Sequence, residues 1–305
     1  MVQVPGGTFT MGSEAFYPEE RPLRRVKVDS FRLDETPVTN RQFSQFVAAT
    51  GYVTAAEIAP DPKDYPGMDP ALAQPGSLVF RKTPHRVPLT DFSQWWEFCL
   101  GADWRHPSGP DSSIDGLEDH PVVQVNHGDA LAYARWVGKS LPTEAEFEYA
   151  AKGGFEGREY PWGNELAPGG QMLANFWQGQ FPFENTLQDG FERTSPVRHY
   201  PANGFGLWDM IGNVWEWTGD WYGLHQRAQK KNPGACCTIA NPRGAKRADS
   251  FDPSAPQVPI GRRVIKGGSH LCAENYCQRY RPAARQAQAI DTSTSHIGFR
   301  CVRRG

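Results

Sequence analysis

Clean helical periodicity is scarce in this chain, and what lies between the few periodic stretches is broken by glycine and proline. Three segments carry apolar residues at helical spacing behind a start signal. Thr39 with Gln42 forms a capping box ahead of Phe43, Phe46 and Val47, and Gly51 stops the run. Asn126 with Asp129 precedes Ala130, Tyr133, Ala134 and Val137, and Thr143 with Glu146 follows Pro142. One stretch, Arg25 to Phe31, alternates with the period of a strand. With 31 glycines, 26 prolines and ten tryptophans in 305 residues, the expectation is one α+β domain spanning 1–305, low in regular secondary structure and held by aromatic clusters.

Between Tyr52 and His120 prolines recur, yet Trp95, Trp96, Phe98 and Trp104 are too apolar to remain in water, so SQWWEFCLGADWRHPSGPDSS reads as a packed long loop. Tyr160 to Tyr222 is an aromatic middle with six of the ten tryptophans. It contains two oxygen-rich stretches, one bearing Asn175 and Asp189, the other Asp209 and Glu216 around a Gly-containing turn. Hard oxygen donors on irregular backbone suit calcium, although neither stretch has EF-hand spacing and both also read as turn-capping side chains. Gly223 to Arg263 is polar and reads as a surface excursion, whose adjacent Cys236 and Cys237 would strain a mutual disulfide and read as exposed or incidental thiols.

Composition excludes several functions. A net charge of −2 gives no global pull toward nucleic acid or anionic membrane, and no apolar run approaches the roughly 20 residues that span a bilayer. The opening MVQVPGGTFTMGS lacks a basic start and an apolar stretch, so the expected address is the cytoplasm, where thiols stay reduced. Dinucleotide, phosphate-loop, zincin and hydrolase-elbow motifs are missing, and the eight histidines are scattered singly.

What remains is VIKGGSHLCAENYCQRYRPAAR, from Val264 to Arg285. Cys272 and Cys277 lie five apart, which is neither one helix face nor a CxxC redox turn. A bent segment would bring them together. Lys266, His270, Arg279, Arg281 and Arg285 offer positive charge that favours thiolate, and two soft donors in such a niche select copper(I). Two buried small hydrophobes or a structural disulfide are the bland alternatives. A zinc site built with His270 lacks a second ligand pair.

GGSHLCAENYCQRYRPAAR followed by TSHIGFRC resembles the signature of the formylglycine-generating enzyme family, as do VPGGTFTMGS, DETPVTNRQFSQFV and HPVVQVNHGDALAYARWVGKSLPTEAEFEYAAKGG. The resemblance covers nearly the whole chain and implies a C-type-lectin-like fold. It implies a cytoplasmic monomeric oxidase converting the cysteine of a CxPxR segment in a sulfatase polypeptide to Cα-formylglycine. Copper(I) on Cys272 and Cys277 would take the substrate thiolate, dioxygen would be the oxidant, and hydrolysis of a thioaldehyde would leave the formyl group. Family positions carry over to Ser269 and Tyr276 for steering dioxygen or water, and to Trp95, Trp96, Trp104, Trp215 and Arg285 for the substrate. His296 stands where the family commonly has Asn.

Calcium carries over to Asn175, the Phe176 carbonyl, Asp189 and the Phe191 carbonyl for one ion. For a second it carries over to Asp209, the Gly212 and Val214 carbonyls and Glu216. Animal members carry disulfides, but three of the matching positions here are Ala134, Ala151 and Pro282, which leaves Cys301 without its expected partner. Two rivals share the fold. A non-catalytic lectin-like binding module would not need the thiols, and an oxidase of small thiols would need a three-histidine iron site that the scattered histidines do not supply.

Overall fold

The computed structural model describes residues 1–225 and 238–305. The segment holding Cys236 and Cys237 lies outside the described residues.

All three expected helices form, and their caps are the reciprocal ones the sequence encodes. In α1 (Asn40–Thr50) the Gln42 amide N–H donates to Thr39 Oγ1 and the Thr39 N–H to Gln42 Oε1, and Gly51 closes the helix at φ 67°. In α2 (His127–Trp136) Asn126 and Asp129 exchange the same pair of bonds at 2.8 and 2.9 Å. In α3 (Glu144–Lys152) Thr143 and Glu146 do so, with Gly153 at φ 62° as the stop. Each box satisfies amide donors that the first helical turn leaves without partners.

Strands are short and lie in four small sheets among the described residues. Strand β1 (Val2–Val4) pairs with β4 (Phe31–Leu33), which pairs with β12 (Val302–Arg304), so both ends of the chain meet in one sheet. Strand β2 (Gly7–Met11) pairs with β3 (Arg24–Val28), and β3 with β8 (Ile239–Ala240). The alternating stretch Arg25 to Phe31 is therefore two strands rather than one. Asp29 and Ser30 break it because the chain changes sheets there, and the Asp29 N–H donates to Asn241 Oδ1 instead of a ladder partner.

The central sheet runs β10 (Arg285–Ala289), β9 (Arg262–Lys266), β7 (Trp215–Trp221), β11 (Ile297–Gly298). The proline-rich segment expected to be loop contains an antiparallel pair, β5 (Gly76–Phe80) with β6 (Trp96–Leu100). Its strands are joined by a long proline-bearing connection rather than a tight turn, so the hairpin signals of the sequence are missing.

Two apolar clusters flank the central sheet. One gathers Phe43, Trp104, Tyr133, Trp215, Trp217 and Phe299 together with Cys272 and Cys277. The other places α3, through Phe147 and Ala151, against the β2–β3 sheet. A third, smaller cluster joins Trp95, Trp177 and Phe181 to Leu271 and Ala273. The aromatic clusters anticipated from composition thus surround the loop that follows β9.

Candidate active site

That loop is shaped by two glycines and closed by one tight turn. Gly267 and Gly268 take φ of 93° and 75°, and a Cβ on Gly268 would lie 2.6 Å from the Arg279 carbonyl oxygen, so only glycine lets the strand end pass this close to the returning chain. The Cys272 N–H donates to the Ser269 carbonyl at 2.9 Å, and the Cys277 N–H to the Ala273 carbonyl at 2.7 Å. A single i to i+4 turn therefore folds the five-residue spacing so that the two sulfurs meet at 3.1 Å, both reduced. Cys272 is 1% exposed and Cys277 7%.

The thiols are unequal. Burial and the neighbouring Cys277 push the Cys272 thiol well above its ordinary range. Cys277 is pulled down, first by the hydrogen bond from Cys272 and then by Arg279. Arg279 Nη1 approaches Cys277 Sγ at 3.8 Å. The other cations expected to surround the thiols are neutralised elsewhere. Lys266 pairs with Glu148 at 2.9 Å, Arg281 with Glu20 at 2.6 Å and Arg285 with Glu144 at 2.6 Å, all of them buried. Burial takes the pKa of His270 down to about 4, leaving a neutral ring whose Nδ1 bonds the Asn213 carbonyl at 2.8 Å.

The remaining expected site residues divide into three groups. Ser269 and Tyr276 stand at the thiols: the Ser269 N–H points to Cys272 Sγ at 3.5 Å, while its Oγ accepts from the Leu271 N–H. Tyr276 is 38% exposed, stacks on Phe181 at 4.5 Å and meets the edge of Trp95 at 5.4 Å. Burial first, then the neighbouring thiols, push its pKa up to about 12, so its hydroxyl keeps its proton. Trp96 is half-buried against His296, at 4.8 Å, and Phe80. His296 has its pKa taken down to about 3 by burial and bonds Thr294 Oγ1 at 2.7 Å.

Four residues expected to touch a substrate are instead buried. Trp95, Trp104 and Trp215 lie in the cores, Trp104 edge-on to Phe43 at 5.2 Å, because indoles of this size contribute most when fully removed from water. Arg285 is fixed by both oxygens of Glu144 and by the Glu19 and Gly223 carbonyls. It is an internal strut between α3 and β10, and it lines a cavity bordered by Glu144, Gly223 and His225.

A wall that sequence reading missed comes from the N-terminus. Residues 13–21 cross over the cysteine loop: the Tyr17 hydroxyl accepts from the Gln278 N–H at 2.9 Å, Glu19 pairs with Arg279 at 2.6 Å and Glu20 with Arg281 at 2.6 Å. Arg279 also lies 3.8 Å over the Tyr17 ring and Arg281 3.6 Å over Phe16. The partners are separated by some 260 positions, and the only trace in the sequence is the acidic pair Glu19-Glu20 matched to the basic Arg279 and Arg281.

The oxygen-rich stretches lie in two irregular turns. Asn175 Oδ1 is buried with no hydrogen-bond partner, and Gln178 Nε2 donates to both the Phe176 carbonyl and Asp189 Oδ2. Asp189 also holds the turn to Phe191, whose N–H donates to Oδ1 at 3.0 Å. In the second stretch both oxygens of Glu216 lie on Arg300 at 2.8–3.1 Å, and Asp209 Oδ2 accepts from the Arg198 N–H. Burial raises the pKa of both carboxyls. Asp209 and Gly212 take φ of 54° and 74° in the turn that leads through Val214 into β7.

Fold and site together describe an irregular α+β domain whose centre is a buried dithiol. The same fold is seen in PvdO from Pseudomonas aeruginosa, with a TM-score of 0.63 at 22% identity over 99% of this chain and 93% of that one. The chain belongs to the formylglycine-generating enzyme family: the family model described as "Sulfatase-modifying factor enzyme 1-like domain" matches residues 1–305. The formylglycine-generating enzyme of Mycobacterium tuberculosis is 53% identical over 99% of this chain and 97% of its own. The mouse enzyme is 44% identical over 99% of this chain and 74% of its own, and a mouse protein named inactive C-alpha-formylglycine-generating enzyme 2 is 37% identical.

Proposed function

We propose that this chain is a formylglycine-generating oxidase that converts the cysteine of a CxPxR segment in a sulfatase polypeptide to Cα-formylglycine. The observation that carries the reading is the Cys272–Cys277 pair, two reduced sulfurs 3.1 Å apart in a chain 53% identical to a formylglycine-generating enzyme. The donor set fits copper(I). Among the described residues no third His, Cys, Asp or Glu joins the sulfurs in a metal-binding group, and two soft donors alone favour copper(I) over zinc or hard cations. Cys272 and Cys277 would hold copper(I), which would supply a soft site for the substrate thiolate and activate dioxygen.

The chain's own residues supply the surroundings. Two hydrogens pass from the substrate CH2SH group to dioxygen, which leaves as hydrogen peroxide, water then adds to the thioaldehyde, and hydrogen sulfide departs as the aldehyde forms. Tyr276, backed by the buried rings of Trp95 and Phe181, is the exposed aromatic beside the thiols, and its hydroxyl, held protonated, is a hydrogen-bond donor there. Trp96, the one half-buried member of the three indoles on residues 95–104, offers its free face to an extended peptide.

Calcium belongs to the same reading as a structural ion. The buried, partnerless Asn175 Oδ1, in a segment folded onto Asp189 through the Phe176 N–H, suits a hard cation. At the second site the Glu216 carboxylate is already paired with Arg300, and the half-buried Asp209 carboxylate beside it is the oxygen donor left for an ion. Cytoplasmic residence completes the proposal, since the four cysteines among the described residues are reduced and suit a reducing compartment.

The test is to incubate the protein with copper, dioxygen and a CxPxR peptide and to trap the product with a hydrazine reagent. The reading predicts oxygen-dependent labelling at the cysteine, lost in both Cys272→Ser and Cys277→Ser. A binding module of the same fold would give no labelling, and copper(I) titration would not distinguish the two variants from the parent.

A further inference from the structure

Two thiolates around one copper(I) ion carry a net charge of −1, and the sulfurs are almost fully buried. A buried charge without a counter-charge is costly, so the loaded site needs a cation nearby. Lys266, Arg281 and Arg285 each pair with a buried carboxylate and make no hydrogen bond to either sulfur, and His270 is neutral. Arg279 alone among the described residues places a guanidinium nitrogen within hydrogen-bonding reach of a site sulfur, 3.8 Å from Cys277 Sγ.

We propose that Arg279 is the counter-cation of the loaded dithiol site, and that the N-terminal strap holds it there. The inference rests on the copper reading above. Its geometry is over-determined: the Glu19 carboxylate takes Nη2 at 2.6 Å, and the Tyr17 ring lies 3.8 Å under the guanidinium while its hydroxyl is tied to the Gln278 N–H. A long flexible side chain is thereby kept against the sulfur rather than in solvent, and the Arg279 Nε, buried and without a partner, shows that the group is placed for its charge rather than to complete its hydrogen bonds.

The role of Glu19 separates this account from a merely structural one. Its carboxylate holds Arg279 but also offsets the positive charge that the sulfurs feel. Glu19→Gln keeps an acceptor oxygen for Nη2 and removes the offsetting charge, so copper(I) affinity should be equal to or tighter than that of the parent. Arg279→Met keeps length and loses charge, and Arg279→Lys keeps charge and loses the fork.

The experiment is competition of copper(I) between the protein and a chromophoric chelator, with melting temperature recorded on each variant. We expect Arg279→Met to weaken binding at least tenfold, Arg279→Lys to stay within about threefold, and Glu19→Gln not to weaken it. Equal weakening in Met and Lys variants would overturn the proposal, as would weakening in Glu19→Gln to the level of Arg279→Met. Should Arg279→Met fail to fold, Arg279→Gln takes its place, and tenfold or greater weakening in Arg279→Lys or Glu19→Gln overturns the proposal by itself. If the parent protein itself takes no copper(I), the functional reading fails, and this inference fails with it; if the parent binds and Arg279→Met binds equally well, the inference alone fails.

Discussion

Arg281 and Glu20 allow a quantitative test of how the N-terminal strap is fastened. Both side chains are buried, at 2% and 0% exposure, and the guanidinium makes two bonds to the carboxylate at 2.6 and 3.0 Å. It also donates to the Gln278 carbonyl at 2.8 Å and covers the Phe16 ring. Arg281→Met removes the charge and leaves Glu20 buried without a partner, which for a pair of this kind costs about 3–5 kcal/mol. At about 2 °C per kcal/mol, the low end for chains of this size, the melting temperature falls by roughly 6–10 °C. Glu20→Gln should destabilise comparably, while Glu20→Leu with Arg281→Met together should recover most of the loss, because no buried charge remains. Scanning calorimetry on the three variants measures this. A fall under about 2 °C in Arg281→Met, or a double variant that shows the sum of the single losses, would refute the reasoning. Copper(I) affinity should stay unchanged in the double variant, since the Arg281–Glu20 pair is neutral as a unit and so is its replacement.

Three further outcomes follow from the same structure. Trp96→Ala should raise the KM for a CxPxR peptide by an amount worth about 1–3 kcal/mol, whereas Trp104→Ala should cost about 3–5 kcal/mol of stability and leave the KM of the folded fraction alone; steady-state kinetics paired with melting curves distinguishes them. Burial lowers the folded pKa of His127 and His296 to about 3 and of His225 and His270 to about 4. Protons therefore bind the unfolded chain first. Stability should be level in these groups above about pH 6.5 and fall as pH drops toward 4, by up to about 1.4 kcal/mol per unit for each histidine, and urea titrations of His127→Gln should show a slope reduced by one proton. Calcium should raise the melting temperature of chelator-treated protein by mass action, and Asn175→Ala should abolish much of that rise, whereas an equal rise in the variant would remove Asn175 from the site.

The parts of the fold that were legible in the sequence are those set by neighbours along the chain. Each capping box is a three-residue code, so α1, α2 and α3 could be read from Thr39, Asn126 and Thr143. The cysteine pair and its glycines were legible for the same reason. Long-range placement was not. Whether Trp104 packs under Phe43 or faces solvent depends on the tertiary fold, and an indole has the same local signature in both settings. The cationic niche misled for a related reason: Lys266, Arg281 and Arg285 are near Cys272 in sequence, but Glu148, Glu20 and Glu144, which neutralise them, come from elements more than a hundred residues away. Only the resemblance to a known family, not the residue pattern, pointed to Ser269 and Tyr276.

The central claim is that Cys272 and Cys277 together make this chain an oxidase of a peptide cysteine. Its most direct test is the intact mass of a CxPxR peptide after incubation with copper-loaded protein, run in air, without oxygen, and with Cys272→Ser and Cys277→Ser. The account predicts a product lighter by the difference between CH2SH and CHO in air with the parent protein alone, with both variants folded and inert. An unchanged peptide in the presence of bound copper and dioxygen, or near-normal conversion by either serine variant, would contradict it.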